Sequence, residues 1–126
     1  MQHFKIALLQ MKAVMKQIDE NMQIAEKFCR EAAEKGADLA LFPEMFSTGY
    51  AALEGDPFGP WKAVAFENEK PDNKVIADES SYAIDDTHSY VERFRSLAEK
   101  LEMAIAVTYM STGESAPRNT VLIIDR

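Results

Sequence analysis

An α/β fold, with helices packed on a mixed sheet, is predicted by three features of this 126-residue sequence. Two short apolar runs flank a stretch of helical periodicity near the start of the chain, which is the strand, helix, strand order of a βαβ unit. A second helical stretch is followed by two further apolar runs. Between those runs lies STGESAPR, whose Ser, Gly and Pro mark a turn, so the last two strands are expected to pair antiparallel.

Taken in order, residues 4–11 (FKIALLQM) are apolar and bounded by polar residues, as a mostly buried strand is. From about residue 19 to 35, Met22, Ala25, Phe28, Cys29, Ala32 and Ala33 recur at three- and four-residue spacings, and charged side chains fill the positions between. This is the stripe of an amphipathic helix, and Gly36 suits its C-terminal cap. Residues 38–43 (DLALFP) return to an apolar run, so the two strands are expected to be parallel, with a right-handed crossover. Residues 54–80 hold Gly, Pro and acidic residues and read as a long loop excursion, with a short helical turn near Trp61 to Phe66. Loops of that length often serve as binding or lid segments. Asp85 or Asp86 is expected to cap a helix that runs to Leu101 on an inner stripe of Val91, Phe94, Leu97 and Ala98. Residues 104–110 (AIAVTYM) and 120–125 (TVLIID) supply the last strands. No helix follows to cover the sheet, so residues 1–126 read as one portion of a domain whose C-terminal part is missing.

Composition narrows the function classes. Apolar residues make up 47% and charged residues 28%, as in ordinary globular proteins. No run approaches a membrane span, and the opening MQHFKIALLQMKAVMKQ is too quickly interrupted by lysine for a secretory signal, so a soluble cytoplasmic protein is expected. The net charge of -7 is concentrated in residues 51–90, which hold 9 acidic and 3 basic side chains. With no basic stripe to displace counterions, no nucleic-acid partner is expected. One cysteine excludes an internal disulfide, and His3 and His88 lack any zinc spacing, so neither metal nor cofactor is implied.

The stretch LALFPEMFSTGY places Glu44 where an apolar strand stops. Pro43 removes a ladder donor and restricts Phe42 to extended backbone, which ends the strand sharply and aims the next side chain at a fixed place. Ligands of open α/β sheets gather at this rim, and a partly dehydrated carboxylate there takes up a proton more readily, as a general base must. The alternative is that Glu44 caps a backbone turn or pairs with a surface lysine.

The series IALLQM, AAEKGADLALFPE, MFSTGY, YVERFRSLAEKL, AIAVTYM and RNTVLIIDR resembles the N-terminal part of the carbon-nitrogen hydrolase (nitrilase and amidase) superfamily, with FPEMFSTGY its most specific piece. The resemblance implies part of an α-β-β-α sandwich and cleavage of a small amide, carbamoyl compound or nitrile by a glutamate, lysine and cysteine triad. Glu44 matches the glutamate, the general base. The lysine and nucleophilic cysteine of that family follow the strand matching NTVLIIDR, beyond Arg126, so the chain alone is expected to be inactive. Complete members commonly form homo-oligomers.

Other residues read more simply. Phe46 and Tyr50 are candidate substrate contacts, with packing beneath a loop as the alternative. Cys29 lies on the inner helix stripe and reads as core, His88 as a solvated first-turn residue, and Asp85 with Asp86 as a cap more than a metal pair. A second reading of the whole chain is a non-catalytic α/β interaction module that pairs through its uncovered sheet.

Overall fold

The computed structural model describes residues 3–49, 83–114 and 117–126. Six elements follow one another: β1 (Ile6–Leu8), α1 (Ile18–Glu34), β2 (Leu39–Leu41), α2 (Ser89–Leu101), β3 (Ala104–Ser111) and β4 (Arg118–Ile124). The strands form one sheet in the order β1-β2-β3-β4. β1 and β2 are parallel, as are β2 and β3, whereas β3 and β4 are antiparallel with Ile105 opposite Ile124 and Ser111 opposite Arg118. This is the expected mixed sheet. The excursion at 54–80 and the turn near Trp61 lie outside the described residues.

Each helix forms because its stripe has a cluster to join. On α1, Met22, Ala25, Cys29 and Ala32 are buried; on α2, Tyr90, Val91, Phe94, Leu97 and Ala98 are buried. Both stripes meet Ala40, Ile105, Val107, Tyr109 and Ile124 in one continuous core. The aromatic part is tightly interlocked: Phe94 meets Phe42 edge-on at 5.2 Å between ring centroids and Tyr90 at 5.0 Å. Such pairs contribute beyond the area they bury, typically about 0.5–1.5 kcal/mol.

The helix ends show how local chemistry sets the boundaries. At the end of α1, Gly36 at φ +71° donates to Ala33 O (2.8 Å) and Ala37 donates to Ala32 O (3.0 Å). This is the paired-bond stop that a left-handed residue permits, and it bears out the role expected of Gly36. α2 closes the same way, through Glu102 to Glu99 O and Met103 to Ala98 O, but a glutamate occupies the left-handed position at φ +49°.

The start of α2 corrects an expectation. The cap is His88, whose Nδ1 accepts the Tyr90 amide at 3.1 Å. Asp85 lies too far ahead of the first turn and is already occupied, accepting the Thr87 amide (2.9 Å) and hydroxyl (2.6 Å). Those bonds, the hydroxyl foremost, hold the Asp85 carboxyl below its ordinary range.

Because side chains alternate along a strand, the paired register divides the sheet into two faces. Ala7, Ala40, Ile105, Val107, Tyr109 and Ile124 face the helices. The opposite face carries Ile6, Leu8, Leu41, Val121 and Ile123, and these remain exposed, Leu8 at 65% and Ile123 at 68%. β1 is therefore not the mostly buried strand its composition predicts. Its outward side chains belong to a face that no described element covers, and only Leu9, just past its end, is fully buried.

Left-handed backbone costs an L-residue roughly 1–2 kcal/mol. Glu102→Gly is accordingly expected to raise the unfolding free energy by about 1 kcal/mol, measured by urea denaturation, with no change in fold.

Candidate functional site

β2 makes its last ladder bond from the Phe42 amide to Ala106 O at 3.1 Å. Pro43 then offers no donor, and residues 44–48 leave the sheet as a turn. Met45 adopts φ +55° while buried, a conformation rare for any residue that carries a β-carbon. The turn closes where the Gly49 amide donates to Met45 O at 2.7 Å. Gly49 itself sits at φ +64°, and a Cβ there would lie 3.4 Å from Ala13 Cβ.

A backbone this irregular needs partners from elsewhere, because buried peptide groups are rarely left unpaired. Thr108 of β3 supplies two: its hydroxyl donates to Pro43 O and accepts the Phe46 amide at 3.1 Å. Asn21 of α1, fully buried, donates to Ser47 O (3.0 Å) and exchanges two bonds with the backbone of Val14 (2.6 and 2.8 Å). The Lys16 amide donates to Thr48 O at 3.0 Å. Phe46 packs its ring on Phe42 at 5.1 Å between centroids and is wholly buried beneath the turn. Tyr50 lies outside the described residues.

Glu44 emerges from this turn at the carboxyl end of a central parallel strand, where it is exposed. The dehydrated setting expected for it is not present among the described residues. Its Oε1 accepts a hydrogen bond from Nδ2 of Asn119, which stands opposite Met110 on the uncovered side of β4. The carboxylate thus reaches the side of the sheet opposite the helices. A groove of about 360 Å³ between α1 and α2, lined by Glu26, Arg93 and Lys100 among others, lies on the helical side and does not include Glu44.

Cys29 sits elsewhere, in the core stripe of α1. Burial, with a smaller contribution from the Glu26 carboxylate, pushes its thiol up to about 12. A nucleophilic thiol needs the reverse shift and partial exposure, so Cys29 is a packing residue. Among the described residues no three His, Cys, Asp or Glu side chains converge as a metal site, and no helix is long and apolar enough to cross a membrane.

Glu44 was visible in the sequence because of Pro43 and the apolar run before it. Asn21, Thr108 and Asn119 were not singled out. Asn21 left a signal as an amide on an otherwise apolar helix stripe, and Thr108 as the one aliphatic hydroxyl within AIAVTYM. Asn119 gave none, since its neighbour in space is 75 positions away.

The fold and site together define a helix-and-sheet layer that carries an acid at the end of a parallel strand. The sequence profile named "Carbon-nitrogen hydrolase" matches residues 5–126, and the chain belongs to that family. It is 33% identical over 107 residues to an N-carbamoylputrescine amidase of Oryza sativa subsp. japonica, covering 84% of this chain and 29% of that protein. It is 38% identical over 96 residues to Nitrilase 3 of Arabidopsis thaliana, covering 76% of this chain and 26% of that one. Among solved structures, a CN-hydrolase superfamily protein from Xanthomonas campestris superposes over 99% of this chain and 37% of its own, with a TM-score of 0.67 at 20% identity. The chain therefore spans less than a third of the length of these two plant relatives, and the fold is that of part of a nitrilase-superfamily domain.

Two measurements follow from this geometry. Thr108→Val keeps the shape but strands the Phe46 amide and Pro43 carbonyl, and is expected to lower the unfolding free energy by about 1–3 kcal/mol, while Thr108→Ser retains most of it. The Cys29 thiol ionises from about pH 9 in the unfolded chain but only near 12 in the native one. Above pH 9 the unfolded state thus holds fewer protons, so stability falls as pH rises from 9 to 12. Urea unfolding across that window should show this decline. Cys29→Ala should remove its onset just above pH 9 while leaving the part above about pH 10, where burial also holds the Tyr90 and Tyr109 phenols protonated in the native state. The native thiol should be inert to a maleimide at pH 7 and reactive once unfolded.

Proposed function

We propose that this chain supplies the general base, Glu44, of an enzyme that hydrolyses the carbon-nitrogen bond of a small amide, carbamoyl compound or nitrile. The observation that carries the proposal is a carboxylate at the carboxyl end of a central parallel strand, on a turn held by Thr108, Asn21 and Asn119. The plant relatives are named as an amidase and a nitrilase, which supports the reaction class.

In that chemistry Glu44 takes the proton of a cysteine thiol as its sulfur attacks the substrate carbon. With an amide, the tetrahedral intermediate collapses as the carbon-nitrogen bond breaks, and the amine leaves with the proton that Glu44 returns. Glu44 then accepts a proton from the water that cleaves the thioester, giving the acid and restoring the thiol. A cation beside the tetrahedral oxyanion lowers both barriers. Within these 126 residues the sole cysteine is Cys29, which is packed in the core, so the chain by itself is proposed to lack turnover. Tyr50 is retained as a candidate substrate contact, and Phe46 supports the turn from below.

The uncovered apolar face favours a second reading, a non-catalytic module that pairs through its sheet. The two readings separate on Glu44. When this chain replaces the corresponding segment of the rice amidase, the chimera is expected to hydrolyse N-carbamoylputrescine, and Glu44→Gln to lower kcat by about 10²–10⁴-fold. An active chimera indifferent to Glu44→Gln sinks the base assignment. Ammonia release from simple amides by the 126-residue chain alone is expected to be nil, and release abolished by Glu44→Gln would refute its inactivity.

A further inference from the structure

We infer that Asn119 is the positioning residue of Glu44, a role that rests on the general-base reading of that glutamate. The uncovered face of the sheet is apolar throughout its strands except at two positions, Thr108 and Asn119; every other residue there is Ile, Leu, Ala, Val or Met. Both exceptions grip the same short segment. Thr108 binds the backbone on either side of Glu44, at Pro43 O and the Phe46 amide, and Asn119 binds the carboxylate itself.

They stand on neighbouring strands. Thr108 is opposite Val121 and Asn119 is opposite Met110, so the two polar positions are diagonal neighbours on one face of the β3-β4 hairpin. The antiparallel register sets the distance between the group that holds the turn and the group that holds the acid. Glu44 follows β2 in the chain, yet the hydrogen bond to its Oε1 comes from the hairpin.

The residue type fits the task. A side-chain amide donates to a carboxylate but neither releases a proton nor accepts one at its nitrogen in the working range of an enzyme. Asn119 can therefore fix one carboxylate oxygen without competing for the proton that Glu44 is to carry. An aspartate in its place removes the donor and sets a like charge against the base, and a leucine removes the donor at similar volume.

The test reads geometry in the 126-residue chain and needs no turnover, so its outcome is independent of whether the chain hydrolyses anything. By NMR, the two γ-methylene protons of Glu44 are expected to be resolved in the wild type and to merge in both Asn119→Asp and Asn119→Leu, with amide shifts of β1 and β2 unchanged. Resolved γ-protons in both variants, or merged ones in the wild type, would overturn the assignment. Glu44→Leu reads the same bond from the other end: the Asn119 side-chain amide protons are expected to move to solvent-exposed shifts with faster exchange. Unchanged Asn119 signals in that variant would also overturn it.

Discussion

The hydroxyl of Thr108 bridges two backbone groups that the end of β2 leaves without ladder partners, and the placement of Glu44 depends on that bridge. A strand can stop abruptly only if the chain beyond it finds other donors and acceptors. Pro43 makes the stop obligatory by removing its own donor, and Thr108 makes the departure from the sheet affordable by serving as donor to one side and acceptor to the other. Asn21 completes the anchoring from the helix side, so the turn is tied to both the sheet and α1. A left-handed, buried Met45 persists because these surrounding bonds over-determine it.

The two faces of the sheet divide the work. The helical face holds nearly all of the continuous apolar cluster and the aromatic contacts, which is where folding free energy is concentrated. The opposite face carries the acid and its two polar supports, with Thr108 buried among Ala106 and Met110 of β3 and the side chains of β1 and β4 around them open to solvent. Surface ion pairs such as Arg30 with Glu26 add little to this arrangement, since exposed pairs are typically worth about 0–1 kcal/mol. The site thus depends on hydrogen bonds of defined direction, and the core on packing.

Much of the architecture was legible before the coordinates. Period and turn chemistry placed the four strands and two helices of the described residues, with the parallel β1-β2 and antiparallel β3-β4 pairings, because each follows from local pattern. The parallel β2-β3 pairing, across a long interval of sequence, did not. The burial of β1 was not legible. An apolar strand reads alike whether its outward face is covered or open, and Ile6 and Leu8 are open. The His88 cap was missed because Asp is the stronger general signal, while the actual cap is settled by which residue directly precedes the first turn. At the site, Glu44 stood out by its local sequence. Its supports did not, because Thr108 and Asn119 come near it only through strand pairing, and pairing partners far apart in sequence leave no local trace.

The link from α2 to β3 is only Glu102 and Met103, and its two closing bonds deliver the chain directly into the strand. Thr108 faces the turn because it lies an even number of positions from Ala104 and Ala106, which share its side of the sheet. A single residue inserted into this link or deleted from it, if absorbed by sliding β3, would put Val107 or Tyr109 respectively in the place of Thr108 and turn the Thr108 hydroxyl into the core. The β3-β4 connection is free of that constraint, since length added between Ser111 and Arg118 shifts the phase of neither strand. Homologous chains that vary in length are therefore expected to vary at the hairpin and to keep the helix-to-strand link constant.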